Sequence, residues 1–205
     1  MKKDNSTLSL KVKLRRSLLS EIENPVILET HGGYGAIFDA CYSRVATGVV
    51  FETDEKKTCA LVKQRPTWAV YESDCVGPIS AGLAADVPVT LLDCDPYGEP
   101  WPVIDAFFES KRDFQPRMGV AVNDGLRQKC KLQAGWKVKS LAGIVEKFGN
   151  VALYDNYLQF CRILIEEKAA KAGYALRRWT GYHCGHNQAM THYAAILEMT
   201  GNSRR

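Results

Sequence analysis

Asp93 and Asp95 stand one residue apart where the apolar run of VTLLDCDPYGEPW, residues 89–101, gives out, and Pro96, Tyr97 and Gly98 follow at once. Carboxylates accept hydrogen bonds, so this pair could hold the N–H bonds of an amine. An aromatic exocyclic amine is a poor nucleophile because its lone pair is delocalised into the ring. Acceptors on its N–H bonds, such as Asp95 and a nearby backbone carbonyl, draw the nitrogen toward a tetrahedral shape and stabilise the positive charge that develops on it. Pro96 fixes φ near −65° and stiffens the segment. Tyr97 offers a flat face on which a base can stack, worth ~1–3 kcal/mol in nucleic-acid sites. Taken alone, Asp-Pro-Tyr-Gly reads as a turn. Asp93 is assigned to the cofactor side, but it shares a facing with Asp95 only if the strand persists, so their division of labour stays open.

Other apolar runs end in the same manner. VILETHGGYG closes on Glu29 and His31 and enters Gly32, Gly33 and Gly35; VVFETD closes on Glu52 and Asp54, VYESD on Asp74, and RMGVAVND on Asn123 and Asp124. Glycines between a strand and a helix let backbone approach a ligand and take up positive φ, although a tight turn favours them as well. The dinucleotide pattern G-x-G-x-x-G is not met, because Phe38 fills the third glycine position. A helix N-terminus there still offers bare N–H groups that suit a carboxylate or a phosphate. A carboxylate ending the second strand can accept both hydroxyl hydrogens of an adenosine ribose. Glu52 suits that role, and Asp54, two residues on and on the same face, competes for it. Asp74 could accept from an adenine amine or serve as a helix N-cap.

These side chains need elements to position them. Leu10, Leu14, Leu18 and Ile22 recur every four residues, the stripe of an amphipathic helix, and Asn24-Pro25 ends it. The basic residues Lys11, Lys13, Arg15 and Arg16 fall to its wet face. After it, strands at VILET, GVVFETD, WAVYESD, VTLLDCD and RMGVAVND alternate with helical AIFDACYSRVA, EKKTCALVKQR, IDAFFES and VKSLAGIVEKFG. NYLQFCRILIEEKAAKAG is the best helix in the chain, with Gly173 as its stop. YALRRWTGYH and THYAAILEM complete it as a strand pair. The pattern predicts an α/β fold: a doubly wound, mostly parallel, Rossmann-like sheet of seven strands with a C-terminal antiparallel pair. In such sheets ligands gather outside the carboxyl ends of the strands, where these acids fall.

The 205 residues suit a single domain over 10–200, with flexible ends at 1–9 and 201–205. A net charge of +4 permits an anionic partner without demanding one. Seven cysteines, odd in number and without a C-x-x-C pair, suggest neither a disulfide framework nor a zinc ribbon and point to a reducing cytoplasm. The start of the chain is too polar for a signal sequence, and no apolar run approaches the ~18 residues of a membrane span. His183, Cys184, His186 and His192 match no zinc spacing, and no metal is expected. RQKCKLQAGWKVKS, residues 127–140, interleaves basic residues with Trp136 and reads either as a nucleic-acid contact or as a solvated loop.

The segments VILETHGGYG, VVFETD, VYESD and LLDCDPYGEPW occur in the order found in class I S-adenosylmethionine-dependent methyltransferases, and the chain resembles that family over about residues 10–200. DCDPYGEPWPVIDAFF resembles the Asp-Pro-Pro-Tyr type motif of amine methyltransferases, most closely that of the tRNA guanine N2-dimethyltransferases. The resemblance implies S-adenosylmethionine as cofactor, held by Glu29, the turn from His31 through Gly32 and Gly33 to Gly35, Glu52 or Asp54, Asp74 and Asp93. It implies that Asp95, Pro96 and Tyr97 present an exocyclic amine, with RNA or DNA as the expected partner. A small-molecule or protein amine, and a catalytically silent cofactor-binding subunit, remain as alternatives.

Overall fold

The computed structural model describes residues 7–96, 98–132 and 138–201. Five short strands, β1 (Val26–Glu29), β2 (Thr47–Glu52), β3 (Ala69–Glu72), β4 (Leu91–Cys94) and β5 (Arg117–Asp124), run parallel. The chain then returns through β6 (Tyr174–Cys184) and β7 (Met190–Met199), and β7 inserts antiparallel between β5 and β6. The order across the seven-stranded sheet is β3-β2-β1-β4-β5-β7-β6. This is the expected α/β architecture, including the antiparallel pair.

The sheet is covered on both faces, so its central strands are continuous apolar runs rather than alternating ones. Every residue of β4 is buried, as is every residue of β5 after Arg117. On one face lie α1 (Leu8–Leu19), a π-helical turn (Phe38–Tyr42) and α2 (Glu55–Gln64). They pack Leu14, Leu18, Ile37, Phe38, Tyr42 and Leu61 onto Ile27, Val50, Leu91 and Ala121 of the sheet. The other face carries α3 (Val76–Ser80), α4 (Trp101–Glu109), α5 (Leu126–Leu132), α6 (Lys139–Asp155) and α7 (Tyr157–Lys171). Trp101, Phe107, Leu141, Leu153 and Ile165 meet Leu92, Val120 and Tyr193 there. Gly149 breaks α6 with φ 80, and Gly173 stops α7 with φ 85.

Three differences from the sequence reading have local causes. The segment expected as a helix after the glycine turn is helical only over 36–42 and closes as the π-helical turn. Helix α4 begins at Trp101, earlier than the IDAFFES segment, because proline is tolerated in a first helical turn. The third difference bears on function. Residues four apart advance beyond a full turn of ~3.6 residues, so a four-residue stripe drifts around the helix. Leu14 and Leu18 of α1 are buried, but Leu10 is carried outward to 38% exposure. The position beside Leu14 goes inward instead: Arg15, assigned to the wet face, is fully buried, and Lys11 lies one turn before it, half-buried. Lys13 and Arg16 are exposed as expected.

Candidate functional site

The strand order reverses between β1 and β4, where Glu29 stands directly beside Asp93. Two acids side by side at the buried centre of a sheet need counter-charges, and each has its own arginine. Arg15 of α1 donates Nε–H to Asp93 Oδ2 at 2.7 Å and an Nη2–H to Oδ1, and the Tyr42 hydroxyl donates to Oδ2 at 2.6 Å. Arg65, just past α2, pairs with Glu29, and its guanidinium lies 4.4 Å from the Phe38 ring centroid and 5.1 Å from that of Trp68. Burial pushes the Glu29 carboxyl up, against the pull of Arg65. Both carboxylates thus fasten helices of one face to the sheet. That leaves less of Glu29 and Asp93 for a ligand than the sequence reading expected.

The glycine turn is closed by Glu52, whose carboxylate accepts from the backbone N–H of Gly33 at 2.8 Å, Thr53 at 2.9 Å and Asp54 at 3.1 Å. Gly32 is demanded by packing: a Cβ there would stand 2.6 Å from both Leu61 and Val50. Gly33 is different, with φ 54 and no described atom within 4 Å of where a Cβ would be. Its backbone therefore faces open space beside Glu52. The competition between Glu52 and Asp54 has a local outcome, since Asp54 is the N-cap of α2 and accepts from the Lys57 N–H at 3.0 Å. Asp74 likewise accepts from the Val76 N–H at 2.8 Å through Oδ1. Gly35, with φ 79, completes the turn by donating to the Gly32 carbonyl at 3.0 Å.

His31 marks where these groups converge. Its Nδ1 lies 2.8 Å from the Thr30 hydroxyl, and its ring feels the charges of Asp95, Glu52, Asp93 and Asp74. Burial nevertheless holds the imidazole below its ordinary pKa. The turn residues, Glu52, Asp74 and Asp95 therefore share one edge of the sheet.

Asp95 lies just beyond β4 and takes Lys11 Nζ on both oxygens, at 2.7 and 2.8 Å, with both side chains 20% exposed. Burial pushes its carboxyl up, but Arg15 and Lys11 more than offset this, and the group is held below the usual carboxylate range. Pro96 is buried, and Tyr97 lies outside the described residues. Gly98 is held from just past β5: Gly125 donates to the Gly98 carbonyl at 2.9 Å, and a Cβ on Gly125 would approach Gly98 Cα to 3.3 Å.

Two residues beside Asp95 were not singled out from the sequence. Asn123, one residue before the end of β5, is fully buried, and His192, also fully buried, stands opposite it on β7. The sequence marked Asn123 only as one polar strand end among several, and His192 only as part of a histidine-rich stretch. His192 sits 3.5–3.6 Å from Cys184 Sγ, and burial, Lys11 and Arg15 depress it to about 4 despite Asp95, so the ring is neutral. His183 pairs with the Thr191 hydroxyl at 3.0 Å. Among the described residues no three His, Cys, Asp or Glu side chains are grouped to hold a metal.

Arg127, read as a phosphate contact or a loop residue, is buried on α5. Its guanidinium lies 4.0 Å from the Tyr154 ring centroid, and it donates to the Gln188 carbonyl at 3.1 Å. Trp136 lies outside the described residues.

Asp124 points to the opposite face, where it accepts from the Leu126 N–H at 2.8 Å, the Tyr157 hydroxyl at 2.8 Å and the Tyr193 hydroxyl at 3.3 Å. Burial raises its pKa to about 7. Between its ordinary range near pH 4 and that value, the unfolded chain binds fewer protons than the folded one, so this group's contribution to stability falls as pH rises. Urea unfolding at several pH values should show that fall in the wild type and a flatter dependence in Asp124→Asn.

The fold is that of the class I S-adenosylmethionine-dependent methyltransferases. Trm1 from Pyrococcus horikoshii, solved with S-adenosyl-L-methionine, superposes with a TM-score of 0.65 at 11% identity, over 97% of this chain and 56% of that one. This chain therefore spans a little over half the length of that protein. M. jannaschii TYW2 in complex with AdoMet gives 0.60 at 12% identity, over 98% and 79% of the two chains. N-methyltransferase NodS from Bradyrhizobium japonicum WM9, bound to S-adenosyl-L-homocysteine, gives 0.61 at 10% identity, over 97% and 89%. No protein-family model and no curated protein sequence matches the chain. Among the described residues no helix is long and apolar enough to cross a membrane.

Proposed function

We propose that this chain is a methyltransferase that uses S-adenosylmethionine to methylate an exocyclic amine, that of a nucleobase in RNA or DNA. The observation that carries the reading is Asp95, a carboxylate held ionised on a proline-stiffened turn beside the edge where His31, Glu52 and Asp74 meet. The fold, shared with proteins solved with this cofactor or its product, supports it.

The residues present fit the cofactor. Gly33 leaves open space beside Glu52, and Glu52 Oε2, which accepts one N–H, keeps a lone pair for a ribose hydroxyl. Asp74 keeps Oδ2 for an adenine amine, with Oδ1 on the Val76 N–H. The turn from His31 to Gly35 borders the same space, and Glu29 and Asp93 hold its walls. Bound there, the cofactor supplies an electrophilic methyl group on a sulfonium, whose C–S electron pair returns to sulfur as the N–C bond forms.

The chain's part is positional. Asp95 accepts an N–H of the amine, aims its lone pair and stabilises the charge that develops on nitrogen. The aminium proton left after transfer is far more acidic than a carboxylic acid, so it passes to Asp95 and on to water. Tyr97 is assigned to stacking on the base, and Pro96 to holding the turn. A base within a duplex would have to be flipped out to reach this edge. The proposed extent of the unit is one methyltransferase domain over 10–200.

A second reading, a catalytically silent cofactor-binding subunit, draws on the Lys11 ammonium that covers both Asp95 oxygens. Calorimetry with S-adenosylhomocysteine and with NAD, followed by tritiated-methyl transfer to total tRNA, DNA and protein fractions, separates the readings. Cofactor binding with transfer to nucleic acid supports the proposal. Cofactor binding without transfer to any fraction supports the silent subunit, and binding of NAD alone sinks both.

A further inference from the structure

Asn123 is the least satisfied polar side chain at this edge. It is fully buried, and neither Oδ1 nor Nδ2 makes a well-formed hydrogen bond among the described residues, the amide having only a weak contact with the Asp95 carboxylate. A buried primary amide left incompletely paired is costly, so a chain that keeps one calls for a reason. Its surroundings supply one. The β4–β5 register pairs Cys94 with Val122, so the next positions, Asp95 and Asn123, are neighbours across the strands. The Asn123 amide leans on Asp95 through a weak hydrogen bond that helps hold that carboxyl down. His192 stands opposite Asn123 on the far side, neutral and facing Tyr182. Ala121 and Ala194, two residues before Asn123 and two after His192, belong to the α1-side core, which places the amide on that face beneath Lys11.

We infer that Asn123 is a substrate-contacting residue that selects an amine set beside a ring acceptor, and so excludes aliphatic amines. This rests on the reading of Asp95 as the amine's acceptor. A primary amide presents one acceptor and two donors side by side. With Asp95 on one N–H of an exocyclic amine, Asn123 Oδ1 takes the other, and Nδ2 donates to the adjacent ring nitrogen. Adenine, cytosine and guanine each carry that edge; an alkylamine does not, and would offer Nδ2 no acceptor of its own. The local charge acts in the same direction. Arg15, Lys11 and a neutral His192 surround Asp95, so an alkylammonium gains nothing over the Lys11 ammonium already there, whereas an uncharged aryl amine displaces Lys11 into water without bringing a second cation beside Arg15.

The test is Asn123→Ala assayed with whichever fraction accepts methyl groups from the wild type. The expected result is transfer to nucleic acid, with kcat/KM falling about tenfold to hundredfold in the variant, as for loss of one bidentate base contact, and with S-adenosylhomocysteine affinity and Tm retained. A measurement on the unsubstituted protein guards against a variant that fails to fold. In protein carrying 15N-labelled asparagine and bound S-adenosylhomocysteine, the Asn123 side-chain amide signal should move when the accepted oligonucleotide is added and stay in place with butylamine. Transfer to nucleic acid at an unchanged rate in Asn123→Ala, with an unmoved amide signal, overturns this inference and leaves the proposed function standing. Transfer to protein or alkyl amines overturns both this inference and the nucleobase assignment. Absence of cofactor binding in the wild type removes the whole reading.

Discussion

Asp95→Ala is expected to lower methyl transfer by about 10²–10³-fold, the usual cost of removing one acceptor or donor aimed at developing charge. S-adenosylhomocysteine affinity, read by calorimetry, should be unchanged, because the proposed cofactor contacts are Glu52, Asp74 and the glycine turn. The variant should also fold. In the free protein the Asp95 carboxylate holds Lys11 at the rim, and without it the long Lys11 side chain can carry its ammonium into water rather than leave a charge buried. The turn itself is kept by Pro96 and by the Gly125–Gly98 contact, neither of which involves the side chain. Asp95→Asn keeps one acceptor oxygen without the charge and should fall between the two. An Asp95→Ala protein that transfers methyl groups at the wild-type rate would remove Asp95 from the mechanism.

The second large effect is on stability. Arg15 and Asp93 form a fully buried pair, and removing one member leaves the other as an uncompensated charge, at a cost of about 3–5 kcal/mol. Arg15→Met should therefore lower Tm by roughly 6–20 °C, at 2–4 °C per kcal/mol for a chain of this length. Asp93→Leu should cost as much, since it strands the guanidinium and leaves the Tyr42 hydroxyl without its acceptor. The double replacement should recover much of the loss, because two apolar groups of similar volume need no counter-charge. Thermal unfolding of the three variants checks this. Additive losses in the double variant would mean that the pair is not what holds α1 to β4.

The sheet was legible in the sequence because its signals are local. Each central strand is an apolar run long enough for one pass through a covered sheet, and each ends in acid or amide where the chain leaves the core. The glycine turn was legible for the same reason, and Asp54 carried the ordinary chemistry of an N-cap before Glu55. What escaped was the destination of charge. Lys11 and Arg15 lie 84 and 78 residues from Asp95 and Asp93. On a helix whose apolar stripe, read every four residues, falls elsewhere, they read as solvent-facing cations. Nothing in the neighbourhood of Glu29 or Asp93 announces that an arginine from another segment will claim it. Asn123 was marked only as a polar strand end, because an incompletely paired amide is visible only once its surroundings are known to be closed.

The two cations of α1 also set where the helix can let go. Arg15 grips the sheet from a place that water and salt do not reach, whereas Lys11, one turn nearer the start, grips it at the rim. Mobile ions screen the outer contact and leave the inner one untouched. Raising ionic strength should thus loosen the first turn alone, with the rest of the helix as its pivot. The fastening of this helix is graded along its length, and its weaker end is the one that covers Asp95.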